Sequence, residues 1–191
     1  MAGDIVIEIE RLTLRPWRES DAAALFALAK DPAVGPIAGW PPHESEQMSR
    51  QVIREVFSAP ETYAVVQRCA GALVGCVGLL FGDAANLSIG ADEAELGYWT
   101  GRPFWGHGFA PEAARALLDR AFDVLGLSAV WASHVDGNAS SRRVMDKLGF
   151  AFDHTEHGVF FGELNETRDE HFLKITREEW TCRGARDSTL A

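Results

Sequence analysis

The chain has 191 residues, 47% of them hydrophobic and 24% charged, which suits one soluble domain able to bury its own core. A formal net charge of −10 and a pI of about 5.0 argue against broad nucleic-acid binding, because an acidic surface repels a phosphate backbone. No apolar run approaches the ~20 residues of a membrane span, and the opening MAGDIVIEIERLTL alternates apolar and charged residues, unlike a signal peptide.

Residues 5–16 (IVIEIERLTLRP) alternate as a strand whose phase slips near Glu10-Arg11, which predicts a bulge. Ser20 is placed to cap a helix over 21–30. The loop DPAVGPIAGWPPHES follows, with four of the eight prolines and Trp40; it has the make-up of a pocket-shaping loop. Trp40 reads equally as a cover over the core or as the wall of an acceptor pocket. A second helix is expected over 44–58. Thr62–Cys69 and Ala72–Gly82 form a hairpin around Ala70-Gly71, in which a tight turn sets Cys76 opposite Val65. Gly75 and Gly78 mark a bulge or a close backbone approach.

Ala94–Thr100 is a strand that runs through a Gly-, Pro- and Trp-rich turn into a helix beginning near Pro111, with Gly126 as its C-cap. Ser128–His134 is a further strand, Asn138 caps a short helix closed by Gly149, and 150–161 with 168–175 make a last hairpin. The expected division is one domain over 1–180 and a frayed polar tail over 181–191. The order β-α-α-β-β-β-α-β-α-β-β defines a mixed α/β layer structure. Cys69, Cys76 and Cys182 leave an odd cysteine, which predicts free, mostly buried thiols and a reducing, cytoplasmic setting. His154 and His157 would point to opposite faces of a strand, so no metal site is expected.

Gly106 and Gly108, immediately before a helix, make a phosphate site: glycines let backbone N–H groups approach a ligand, and the helix start adds positive potential. No G-x-x-x-x-G-K-[ST] occurs, so it is not a P-loop. Pro111 stands where a dinucleotide fingerprint places its third glycine.

The stretch ELGYWTGRPFWGHGFAPEA, followed downstream by NASSRRVMDKLGF, resembles the GNAT acyltransferase superfamily. The opening IERLTLRPW and the closing LNETRDEHFLKITREEW are similar to its Rim-type branch, the ribosomal-protein N-terminal acetyltransferases, so the resemblance covers roughly residues 7–180. It implies a mostly antiparallel sheet splayed between its fourth and fifth strands and flanked by about four helices. The implied pyrophosphate loop is Trp105, Gly106, His107, Gly108, Phe109 and Ala110. Trp105 replaces a hydrogen-bonding side chain, so backbone N–H groups carry more of the contact. Tyr98, Trp99 and Thr100 are implied to pair with pantetheine like an added strand, with a backbone N–H polarising the thioester carbonyl. Asn138 is implied to touch the cofactor, and Ser141 to stand near the sulfur as donor or acid.

The function that follows is transfer of acetyl from acetyl-CoA to a primary amine by direct attack in a ternary complex. The favoured acceptor is a protein or peptide α-amino group. A small-molecule amine is the alternative, and a non-catalytic CoA-binding module is a reading of another class. Catalytic candidates are Glu95, Ser141 and Tyr98. Glu95, on one strand face with Gly97 and Trp99, is the candidate base, its pKa open to elevation beside an indole; otherwise it is a solvent-facing carboxylate at the sheet edge. Trp40 and Glu95 are the candidate acceptor-binding residues. No nucleic acid, membrane or metal partner is expected, and the protein is expected to be a monomer or homodimer.

Overall fold

The computed structural model describes residues 5–187. Eight strands form one sheet: β1 (Ile7–Glu8), β2 (Leu12–Pro16), β3 (Thr62–Gln67), β4 (Leu73–Leu80), β5 (Glu93–Thr100), β6 (Ala129–Val135), β7 (Ala151–Phe161) and β8 (Glu166–Thr176). Their spatial order is β1-β2-β3-β4-β5-β6-β8-β7, antiparallel everywhere except between β5 and β6. Helices α1 (Ala22–Ala29) and α2 (Glu46–Glu55) cover one face. On the other lie α3 (Phe109–Asp119), α4 (Ala139–Leu148) and α5 (Arg177–Asp187).

The phase slip at Glu10-Arg11 is a reversal of the chain, not a bulge. Ile9 N–H donates to Leu12 C=O (3.0 Å), and β1 folds back on β2 with Ile7 opposite Leu14. Ser20 does not cap α1. It lies inside a short 3-10 turn over Glu19–Asp21, and the Asp21 carboxylate accepts from Arg18 N–H while gripping Arg15. Helix α2 is shorter than 44–58 because Ser45 stops it at its start, its hydroxyl accepting from Met48 N–H (3.1 Å).

The β3–β4 register shifts between Val65 and Val66, so Cys76 faces Ala64 and Gly75 faces Val65. Gly75 has no space for a side chain: a Cβ there would stand 2.0 Å from the Trp99 carbonyl oxygen on β5. Cys76 is buried, and burial pushes its thiol up to about 12, whereas Cys69 and Cys182 are exposed. The expectation of mostly buried thiols therefore fails, because Cys69 sits in the β3–β4 turn and Cys182 on the outside of α5. Helix α5 extends well past Trp180, where the sequence suggested a frayed tail. Trp180 is buried, donating to Asp119 (3.1 Å) and packing on Phe122.

The main core lies between the sheet and α3, where Ala114, Leu117, Leu118 and Ala121 meet Leu14, Val77, Leu96 and Val130. Helix α3 ends in a π turn over Arg120–Val124. That turn presents Arg120 to Glu61 in a largely buried ion pair (2.6 Å), which Tyr63 joins through its hydroxyl (2.9 Å).

The feature that positions the site is the parting of β5 from β6, which are the fourth and fifth strands of the sequence-based order once its first strand is divided into β1 and β2. The two pair only from Glu93–Glu95 against Ala129–Trp131, although β5 runs on to Thr100 and β6 to Val135. A wedge opens beyond Glu95.

Candidate active site

Strand β5 carries the site on both of its faces. Side chains alternate along a strand, so Glu95 and Trp99 face the α1–α2 side while Leu96 and Tyr98 face α3 and α4. The backbone alternates too. Gly101 N–H donates to Val74 on the β4 side (2.9 Å), which turns the amides of Tyr98 and Thr100 towards the unpaired wedge. Thr100 C=O accepts from the Trp105 indole N–H (2.8 Å). Trp105 thus braces the strand end against the glycine loop.

That loop is set by two left-handed glycines, Gly106 (φ 78°) and Gly108 (φ 77°), the second being the N-cap of α3. The helix begins at Phe109, two residues earlier than expected from the sequence. Pro111 is therefore the third helical residue, where a missing N–H still leaves no internal bond unmade. The Phe109 side chain is buried in the core and His107 stacks on it (5.7 Å), so both hold the loop's shape while the backbone faces outward.

Arg11, which sequence reasoning passed over, supports the loop from β2's side. Its guanidinium donates to His107 C=O (2.9 Å) and to Glu112 (2.6 Å), and it lies 4.9 Å from the centre of the Phe109 ring. The only signal for it was its place in the opening motif IERLTLRPW.

A cavity of about 960 Å³ lies over this loop, and the first turns of α3 and α4 both reach it. Among the described residues its cations are Arg143, Lys147 and Arg168, against a single acid, Asp136. Asn138 caps α4 by accepting from Ser141 N–H (3.1 Å), and its amide donates to Ile37 C=O (3.0 Å). Arg168 donates to Pro36 C=O (2.6 Å). These two contacts pin the Pro- and Gly-rich loop over the wedge.

A second cavity of about 500 Å³ lies on the α1–α2 side. Trp40, Trp99 and Phe161 supply aromatic walls, with Trp40 and Trp99 edge to face (5.6 Å). Trp40 packs on the smaller core and also lines this cavity. Glu95, Glu163 and Glu170 line this cavity, and among the described residues no lysine or arginine does.

Glu95 is 2% exposed and lies in the sheet interior, so the edge-carboxylate reading is corrected. It accepts from Asn86 N–H (2.6 Å), the Asn86 side-chain amide (3.1 Å) and the Ser133 hydroxyl (3.1 Å). The last bond crosses to β6 just past the final paired residue, at the fork of the wedge.

The two cavities share Tyr98, Trp99, Asn138 and Ser141 in their linings. Tyr98 Oη is 2.9 Å from Ser141 Oγ and 3.1 Å from Ser141 C=O. Burial raises the Tyr98 pKa, outweighing the Ser141 hydrogen bond, and so keeps the phenol protonated. Two histidines, His43 and His134, have pKa values lowered by burial and remain neutral there.

Among the sequence candidates, Glu95, Tyr98, Ser141, Asn138, Trp40 and the loop 105–110 converge on this one region. Sequence reasoning missed Glu170, His134 and Ser133. His154 and His157 engage separate partners, Phe172 and Asp169, and among the described residues no group of three His, Cys, Asp or Glu side chains could hold a metal.

A wedge between two strands, with a basic, glycine-lined helix terminus on one side and carboxylates on the other, defines a group-transfer enzyme. The model of the acetyltransferase (GNAT) domain matches residues 11–151, and the chain belongs to the GNAT acetyltransferase family. It is 29% identical over 146 residues to the uncharacterized N-acetyltransferase p20 of Bacillus licheniformis, spanning 74% of this chain and 79% of that one. A GNAT-family acetyltransferase from Bacillus anthracis superposes with a TM-score of 0.80 at 24% identity, over 92% of this chain and 100% of the other. The ribosomal-protein-S5-alanine acetyltransferase of Vibrio fischeri does so at 0.72 and 18%, over 93% and 99%. The sequence-based fold assignment therefore holds, with five α-helices among the described residues where about four were expected. Acetyltransferases of this family use acetyl-CoA as co-substrate.

Proposed function

We propose that this acetyltransferase moves acetyl from acetyl-CoA to a primary amine by direct attack within a ternary complex. The observation that carries this reading is the separation of charge across the wedge. Cations and two helix N-termini border the larger cavity, carboxylates border the smaller, and Tyr98 and Ser141 stand where the two meet.

The residues fit acetyl-CoA. The backbone at Gly106–Ala110 meets the pyrophosphate, where a Cβ at Gly106 would touch nothing, so the surface is open to a ligand. Arg143 and Lys147 add positive charge. The inward-facing amides of Tyr98 and Thr100 pair with the pantetheine arm and polarise the thioester carbonyl, an effect worth ~3 kcal/mol when well aligned.

Glu95 takes the proton of the incoming ammonium, directly or through a water. The neutral nitrogen then attacks the carbonyl carbon, the C–N bond forms and the C–S bond breaks. Tyr98, oriented by Ser141, supplies the proton to the departing thiolate, and the proton that the nitrogen sheds as the amide forms returns to the phenolate. Water is excluded by the roof of residues 36–38.

For the acceptor, the small cavity favours a compact amine. Helix α2, the loop carrying Trp40, the Phe161 end of β7 and the β7–β8 turn wall it on several sides. A protein α-amino group is the competing reading, supported by the fold likeness to the S5-alanine acetyltransferase. The deciding experiment is a thiol-release screen of acetyl-CoA against small amines and peptides together. Turnover with small amines is expected, whereas release with peptides alone would move the acceptor assignment to the α-amino group. No release with any amine, despite acetyl-CoA binding, would overturn catalysis itself.

A further inference from the structure

Glu170 on β8 plays no part in the mechanism above, yet it is 6% exposed and lines the smaller cavity. Burying a carboxylate without a partner is costly, so such a group asks for a counter-charge or a donor. Among the described residues none is supplied by a lysine or arginine of the cavity wall. The neighbouring donor is the Ser133 hydroxyl, which already donates to Glu95 (3.1 Å). Burial, and then the nearby Glu95 and Glu156 charges, raise the Glu170 pKa, which is the mark of a carboxylate left short of positive charge.

Register keeps the neighbouring His134 out of this wall. His134 pairs with His171 and Val135 with Glu170, so the imidazole and the Glu170 carboxylate project from opposite faces of the sheet. On the cavity side, the wall formed by β6 and β8 thus holds Glu170 with only the Ser133 hydroxyl, shared with Glu95, to donate to it.

We propose that this wall binds a second cationic or hydrogen-bond-donating group on the acceptor, so that the preferred substrates are small diamines and amino-alcohol-like amines. Amines that carry a carboxylate are rejected. This rests on the acetyl-transfer reading above. The reacting nitrogen sits at Glu95, the apolar linker lies against Trp40, Trp99 and Phe161, and the distal ammonium meets Glu170. A carboxylate at the distal position would face Glu170 in a poorly solvated space, and that repulsion gives the discrimination.

The test is thiol release from acetyl-CoA with α,ω-diamines of three to six carbons, n-alkylamines and ω-amino acids of the same lengths, and one short peptide. The expected result is a kcat/KM for the best diamine about tenfold or more above its matched monoamine, the size of one charge-assisted hydrogen bond. The ω-amino acids should be lowest of all. Glu170→Gln should reduce the diamine-to-monoamine ratio by about tenfold, chiefly through KM. If Glu170→Gln does not unfold cooperatively, Glu170→Met must lower the same ratio. Equal kcat/KM for diamines and monoamines in the wild type, an equal loss for both in the variant, or a preference for the peptide would each overturn the proposal while leaving acetyl transfer standing. Absence of release with every amine would overturn the acetyl-transfer reading itself.

Discussion

Tyr98 on β5 and Ser141 in the first turn of α4 meet hydroxyl to hydroxyl at 2.9 Å, closing the wedge at the point where both cavities reach it. The phenol has one proton and two acceptors within reach, Ser141 Oγ and Ser141 C=O. Tyr98→Phe removes the donor and keeps the ring's packing. Its kcat is expected to fall by about 10²–10³ with acetyl-CoA affinity within a few-fold of wild type. Ser141→Ala, which leaves the phenol its carbonyl acceptor, should lose only about tenfold. Steady-state thiol release together with coenzyme titration separates the two, and a Tyr98→Phe enzyme as fast as wild type would remove Tyr98 from the chemistry.

Glu95→Gln tests the base. An amide cannot accept from Asn86 N–H, the Asn86 side chain and Ser133 at once, because its NH₂ must face a donor on one side. A stability loss of ~1–3 kcal/mol is therefore expected in thermal or urea unfolding. Turnover should fall by about 10²–10⁴, most at pH values well below the amine's own pKa, where almost every acceptor arrives as ammonium. A pH–rate profile parallel to that of wild type would show that another group removes the proton.

Gly108→Val targets the glycine loop. At φ 77° a β-branched residue is strained, and the nearest atom to its Cβ is Arg11 Nη2 at 3.5 Å, so the change unsettles the loop without striking the core. Acetyl-CoA affinity measured by calorimetry should drop at least about thirtyfold while thermal unfolding stays cooperative. Unchanged affinity would refute the loop's role. Arg11→Ala should give a milder loss of the same kind, because the prop is removed and the glycines remain.

The Glu61–Arg120 pair makes a prediction about acid. Burial would lift the Glu61 carboxyl, but hydrogen bonds from Arg120 and Tyr63 outweigh it and hold the pKa below its usual value. A carboxyl depressed in the folded state contributes stability above its unfolded pKa and loses it as pH falls through the folded one. Stability should thus decline on acidification below about pH 4.5, and Glu61→Gln should flatten that decline. Arg120→Met leaves Glu61 buried and unpaired and should cost ~3 kcal/mol near neutrality, read by urea denaturation.

The strand pairs, helix order and glycine loop were legible because they rest on local signals: alternation, caps and the Gly-x-Gly placement before an apolar-periodic segment. The β1–β2 reversal was not. A tight turn at Glu10-Arg11 without Gly, Asn or Pro shifts the apolar phase just as a bulge does. Asn138 was legible as a cap, since it accepts from Ser141 N–H at the start of α4, and the same geometry sets it in the lining of the larger cavity. Glu95 stood out from its motif, but its burial did not, because the donors that make a buried carboxylate tolerable come from Asn86 and from Ser133 on a strand far along the chain. Glu170 and His134 were invisible for the same reason. Each looks like an ordinary polar residue in a strand until β6 and β8 are laid side by side, with Val135 opposite Glu170 and His134 opposite His171.

On the proposed reading, the β5–β6 wedge also sets the kinetics. Its two cavities lie against different helices, the larger against the first turns of α3 and α4 and the smaller against α2, and they meet at Tyr98, Trp99, Asn138 and Ser141. With acetyl-CoA in one and the amine in the other, neither ligand has to leave before the other enters. Double-reciprocal plots at varied coenzyme should therefore intersect, not run parallel. Each product should inhibit most strongly against the ligand whose cavity it vacates: free coenzyme against acetyl-CoA, and the acetylated amine against its parent.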